Sequence, residues 1–85
     1  MKVIWKYPLG PGSQDVQMPE GAALLAIYEQ HGTLCLWALV EPDAAQEIRR
    51  IQIVGTGLIY EGGGDYIGTA FTQGGSLVWH VFDEH

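Results

Sequence analysis

The sequence is poor in cysteine, in basic residues and in long apolar runs. A single cysteine, Cys35, stands in 85 residues, so no intrachain disulfide can staple the fold, and no Cys/His spacing forms a metal-ligand set. Four Lys and Arg face ten Asp and Glu, a formal charge of −6. That balance argues against holding duplex DNA or an anionic membrane through bulk charge. The apolar runs, such as the one ending at Val40, fall far short of the roughly 20 residues that a membrane span requires. Met1 to Pro8 alternates apolar and basic residues without a continuous apolar stretch, so it reads as neither a signal peptide nor a basic arm, and a cytosolic protein is expected. His31, His80 and His85 make no HxH or HExxH spacing, and no spaced pair of carboxylates is flanked by apolar residues. The sequence therefore predicts no catalytic dyad, no metal and no cofactor.

What is present points to a folded β domain. Hydrophobic residues make up 47% and charged residues 16%, a balance that favours a compact state and a single domain over residues 1–85. Twelve Gly and four Pro cut the chain into segments of about five to ten residues, the length of strands. The expectation is an all-β domain, or a β-rich one with one short helix. Its form is a small antiparallel sheet, sandwich or barrel of about six to seven strands. Lys2 to Tyr7 alternates and stops at Pro8; Asp15 to Met18 is a short strand. Gly21 to Gln30 is read as a strand despite its helix-forming Ala and Leu residues, because His31-Gly32 forms a tight turn into Thr33 to Val40. Glu41 to Gln46 is an acidic loop with room for one helical turn. Ile48 to Val54 alternates, Leu58 to Tyr60 reads as an edge piece, and Tyr66 to Phe71 with Leu77 to Phe82 makes a terminal hairpin.

Two strands are apolar on both faces. Thr33 to Val40 carries Leu34, Leu36, Ala38 and Val40 on one side and Cys35, Trp37 and Leu39 on the other. Leu77 to Phe82 sets Leu77, Trp79 and Val81 against Val78, His80 and Phe82. A thin sheet packs one face inward, so the second must be covered by another sheet, a helix or another chain. A homo-oligomer is expected, with Cys35, Leu39, Val78, His80 and Phe82 as candidate interface residues.

The candidate ligand site is assembled from scarce residue types. Arg49 and Arg50 are half of the basic residues, and alternation places them on opposite faces. A guanidinium there grips phosphate or carboxylate bidentately, or else pairs with Glu47 and the acidic loop. Gly55-Thr56-Gly57 is either a turn or a nest of N–H donors for an anion. Trp37 and Tyr60 are the aromatics expected at the surface, where they can stack on a ring; Trp5 and Trp79 are expected in the core. The set is thus Trp37, Arg49, Arg50, Gly55, Thr56, Gly57 and Tyr60. Cys35 reads as a small buried hydrophobe and His80 as a core or interface histidine with both nitrogens hydrogen-bonded.

An ordered series of motifs carries a resemblance. Ile4-Trp5-Lys6-Tyr7-Pro8, Met18-Pro19-Glu20-Gly21-Ala22, Leu36-Trp37-Ala38-Leu39-Val40 with Pro42, Arg49-Arg50, Gly55-Thr56-Gly57, Tyr66-Ile67-Gly68-Thr69 and Val78-Trp79-His80-Val81-Phe82 together resemble a family of short uncharacterised proteins found mainly in tailed phages and prophages. Relatives commonly read Gly-Thr-Gly-His-Pro where this chain has Gly55-Thr56-Gly57-Leu58-Ile59, which weakens an enzymatic reading. The resemblance implies a phage protein expressed in the cytoplasm of a bacterial host. It supplies no activity and no ligand residues. The expected function is non-enzymatic and anti-defence: sequestration of a nucleotide-derived immune signal by a homo-oligomer. The alternatives are occlusion of a host defence protein, or a virion or assembly accessory role.

Overall fold

Turn chemistry decides where the strands stop. His31 and Gly32 both adopt positive φ, 53° and 86°, as a two-residue turn of the primed type I requires. This turn joins β3 (Ala23–Gln30) to β4 (Thr33–Val40) as a hairpin. A three-residue 3₁₀ turn, Gln73–Gly75, joins β6 (Asp65–Thr72) to β7 (Leu77–Asp83) in the second hairpin. The remaining strands are β1 (Val3–Pro8), β2 (Gln14–Pro19) and β5 (Gln46–Gly55). The computed structural model describes residues 1–84, and His85, one of the histidines weighed above, lies outside the described residues.

The seven strands form two antiparallel sheets. Sheet A has the order β1-β4-β3 and sheet B the order β2-β5-β7-β6. Cross-strand partners share a face, so the pairings Val3↔Val40, Tyr7↔Leu36 and Ile27↔Leu36 define the inner face of sheet A. Ile51↔Asp83 and Ile53↔Val81 define that of sheet B. Leu36, Val40, Met18, Ile51 and Val81 meet between the sheets and are fully buried. At one side the layers close, because a Cβ on Gly68 would lie 2.8 Å from Ile27 Cγ2; the bare glycine lets β6 run against β3. Both strands carry a register irregularity there, between Leu24 and Ala26 and between Tyr66 and Gly68.

The all-β expectation holds, and Gly21 to Gln30 yields a strand. Three details differ from the sequence reading. Leu58 to Tyr60 is not a strand; residues 56–64 fold back instead over the outer side of sheet B. Glu41 to Ala45 makes a turn, with Ala44 N–H donating to the Glu41 carbonyl at 3.0 Å, and no helix. Trp5 is not a core residue: it is 40% exposed, because it sits on an edge strand where its inward direction brings only partial cover from the other sheet.

Candidate functional site

The structure divides the two arginines as alternation requires, and the division decides what each can do. Arg49 faces inward, buried with Asp83. Its Nη2 donates to Asp83 Oδ2 at 2.6 Å, its Nε to the same oxygen at 3.2 Å, and its Nη1 to Glu47 Oε2 at 2.9 Å and the Ala22 carbonyl at 3.1 Å. Hydrogen bonding to Asp83 holds the guanidinium charged above its ordinary range, with Glu47 adding to the effect and burial opposing it. Arg49 is thus an internal ion-pair residue, which corrects its placement in a ligand site: its donors serve β5, β7 and the residue just ahead of β3. Arg50 points outward and donates to Asp15 Oδ1 at 3.3 Å in an exposed pair.

Gly55-Thr56-Gly57 is a turn. Thr56 N–H donates to the Val78 carbonyl at 3.2 Å and Leu58 N–H to the Gly55 carbonyl at 3.1 Å, and Gly57 supplies φ 90° at the third position. Thr56 N–H, one of the three nest donors, is thus taken up within the chain, as the turn reading of the glycines requires. The side chain of Thr56 has a different fate. Its Oγ1 lies 2.7 Å from His80 Nε2, His80 Nδ1 lies 3.1 Å from Thr69 Oγ1, and Thr69 Oγ1 lies 2.5 Å from the Tyr66 hydroxyl. Both nitrogens of His80 are therefore engaged, and the ring is held on the outer face of sheet B.

Beside this chain stands an aromatic stack. Tyr60 lies over Phe82 with ring centroids 4.0 Å apart and planes 13° from parallel, and Tyr66 flanks Phe82 at 5.6 Å. Tyr60 is held there by two hydrogen bonds: its hydroxyl donates to Glu84 Oε1 at 3.1 Å and accepts from Gly64 N–H at 3.0 Å. Withdrawal from water pushes that hydroxyl above the ordinary tyrosine range, Glu84 adds to the shift, and the Gly64 N–H opposes it. Gly62 and Gly64 close on the Glu84 carboxylate, where a Cβ would not fit. The outer face of sheet B thus gathers Arg50, Thr56, Tyr60, Val78, His80 and Phe82 from the expected residues, and leaves out Arg49 and Trp37.

Trp37 belongs to the outer face of sheet A with Leu39. Ile4 pairs with Leu39, Lys6 with Trp37, and Ala26 with Trp37 on the other side. Cys35 lies on the same face but is only 2% exposed, so it is not an interface residue. Pro8 and Tyr28 flank it, and Lys6 Nζ donates to Gln30 Oε1 at 3.1 Å across that stretch of β4.

Sequence reasoning missed a cleft of about 530 Å³ at one end of the sandwich, lined by Leu9, Glu29, Leu34, Ile53, Leu77 and Trp79 among others. These residues come from five strands or their connecting loops, and no short motif links them. Among the described residues, no group of three or more His, Cys, Asp or Glu side chains is placed to hold a metal ion. No helix among them is long and apolar enough to cross a membrane.

No curated protein and no solved structure matches the chain. A family model matches over residues 1–85, nose to tail with the two sheets described above, and the chain belongs to that family, the domain of unknown function DUF7352.

Proposed function

We propose that the protein is a non-enzymatic binding protein that works as a homo-oligomer, assembled through the outer face of sheet A. One observation carries this reading. Ile4 and Tyr28 are 59% and 67% exposed and sit on either side of Trp37 and Leu39, and within the three strands Lys6 is the one charge on that face. A monomer would keep this apolar face in water. Strand rise and spacing give it a footprint of about 27 by 14 Å, smaller than the roughly 800 Å² per partner of a standard interface. The assembly is accordingly expected to dissociate on dilution. Light scattering across the micromolar range should give a multiple of the 9.3 kDa chain mass. An Ile4→Glu, Leu39→Glu variant, which places two carboxylates on one cross-strand pair, should scatter as a monomer with an unchanged circular dichroism spectrum. A 9.3 kDa particle at every wild-type concentration would refute the proposal.

The finer reading we propose, with its phage setting taken from the family resemblance, is an anti-defence protein that sequesters a nucleotide-derived signal in the host cytoplasm; one juxtaposition supports its ligand-binding part. Arg50, Tyr60 and Thr56 share the outer face of sheet B. The Arg50–Asp15 pair is exposed and so contributes little, about 0 to 1 kcal/mol, which leaves the guanidinium available for a phosphate. Titration with cyclic nucleotides and ADP-ribose derivatives tests it: Arg50→Ala should abolish binding and Arg49 variants should act only through stability. If none of these compounds binds, the readings left are occlusion of a defence protein, for which an acidic surface complements a basic groove, and a virion or assembly accessory role.

A further inference from the structure

The end cleft is separate from the outer faces of both sheets and shares no lining residue with the candidate ligand set Trp37, Arg49, Arg50, Gly55, Thr56, Gly57 and Tyr60. It opens where the loop after β1, the His31-Gly32 turn and the Gln73–Gly75 turn converge. Its wall is apolar: Leu9 and Leu34 are buried, with Leu9 N–H donating to the Leu34 carbonyl at 2.8 Å, and Ile53, Leu77 and Trp79 extend outward from them. The indole of Trp79 is fixed, because its Nε1 donates to Thr72 Oγ1 at 2.9 Å. Glu29 is the one charged group among the described residues of the lining. It lies on the inner face of sheet A opposite Leu34, and one of its oxygens accepts the Gly32 N–H at 2.5 Å, which leaves the other oxygen and the charge to a ligand.

We infer that this cleft binds a small amphiphilic amine, with its apolar group against Leu34, Ile53, Leu77 and Trp79 and its ammonium at the Glu29 carboxylate. A volume of about 530 Å³ falls within the usual range of ligand sites, about 300 to 1,000 Å³. Desolvation of the apolar group drives entry, and the polar end selects the charge. The carboxylate attracts an ammonium through a charge-assisted hydrogen bond. A phosphate or carboxylate ligand would meet Glu29 with no cation among the described residues of the lining to offset it. The amine site and a nucleotide site on sheet B are therefore distinct, and one can fail without the other.

Nuclear magnetic resonance titration of the full chain with 2-phenylethylamine, 2-phenylethanol and 3-phenylpropionate tests this inference, since the three probes share a ring and differ in charge. The amine should shift the Trp79 indole N–H and the amides of Gly32 and Gly74 saturably, and bind at least about tenfold tighter than the carboxylate, the ratio that 1.4 kcal/mol produces. Glu29→Gln keeps a neutral oxygen for the Gly32 N–H and should reduce the amine to the level of the alcohol. Leu77→Lys, at a partly exposed rim position, should abolish amine binding with the remaining spectrum unchanged. The absence of saturable shifts, equal binding of the carboxylate, or an undiminished preference for the amine in Glu29→Gln would overturn it.

Discussion

Arg49 grips Asp83 from two nitrogens inside the sandwich, Nη2 at 2.6 Å and Nε at 3.2 Å, although 34 residues separate them in the chain. The pair ties β5 to β7 at the end of their ladder, and Nη1 reaches the Ala22 carbonyl just ahead of β3. A buried guanidinium without its carboxylate has no solvent to turn to. Asp83→Ala is therefore expected to destabilise the fold by about 3 to 5 kcal/mol, whereas the joint replacement Arg49→Met, Asp83→Leu should cost less than either single removal. Urea unfolding of the three variants checks the order.

Tyr7 carries a buried hydroxyl that finds no hydrogen-bond partner among the described residues, and desolvation raises its ionisation above the ordinary tyrosine range. Tyr7→Phe should leave stability at neutral pH unchanged or improve it by up to about 1 kcal/mol, since nothing favourable is removed. The pH dependence has a definite sign. With the folded value raised, the unfolded chain loses its proton first, so the contribution is complete below about pH 10 and is lost as pH rises further. Tyr60 adds in the same direction. Denaturation between pH 8 and 11 should show a falling alkaline limb that is shallower in Tyr7→Phe.

The approach of β6 to β3 rests on a missing side chain. Gly68→Val is expected to destabilise by about 1 to 3 kcal/mol by forcing a methyl group against Ile27. Combining it with Ile27→Ala should recover part of that loss, and thermal unfolding of the single and double variants measures the coupling.

Neighbouring glycines in the 62–64 loop should behave oppositely. A Cβ on Gly63 meets nothing, so Gly63→Ala should be neutral or stabilise by about 0.4 to 1 kcal/mol through the unfolded chain. A Cβ on Gly64 would press on the Asp83 carbonyl and the Glu84 carboxylate. Gly64→Ala should then release Tyr60 from Phe82, which the ring-current shifts of the two residues report.

Much of this fold is legible in the sequence, for reasons visible in single elements. Thr33 to Val40 announces itself because it is apolar on both faces between turn signals, and Gly21 to Gln30 follows it because a positive-φ turn at His31-Gly32 leaves room only for a hairpin. Trp5 misleads because alternation tells which way a side chain points and not how far the opposite sheet extends. Arg49 and Asp83 are illegible as a pair, since the register of β5 against β7 brings them together and no local pattern encodes it. Of the candidate site, His80, Phe82, Thr56 and Arg50 are found by residue type and strand phase. The stack of Tyr60 on Phe82 escapes because it depends on how the loop after Gly57 folds back, and the end cleft escapes because three separate turns build it.

The strand order has a kinetic consequence. Only β3–β4 and β6–β7 join neighbours through short turns; Val3 must find Val40, and Gln14 must find Ile51, before either sheet gains its outer strand. Each of those closures fixes a long stretch of chain before any contact repays it. Folding is expected in the millisecond-to-second range of β sandwiches, with the two hairpins formed first and the unpaired edge of the apolar strand β4 open to other chains until β1 arrives. Stopped-flow refolding at increasing protein concentration should accordingly slow or lose amplitude in the wild type and do so less in the Ile4→Glu, Leu39→Glu variant.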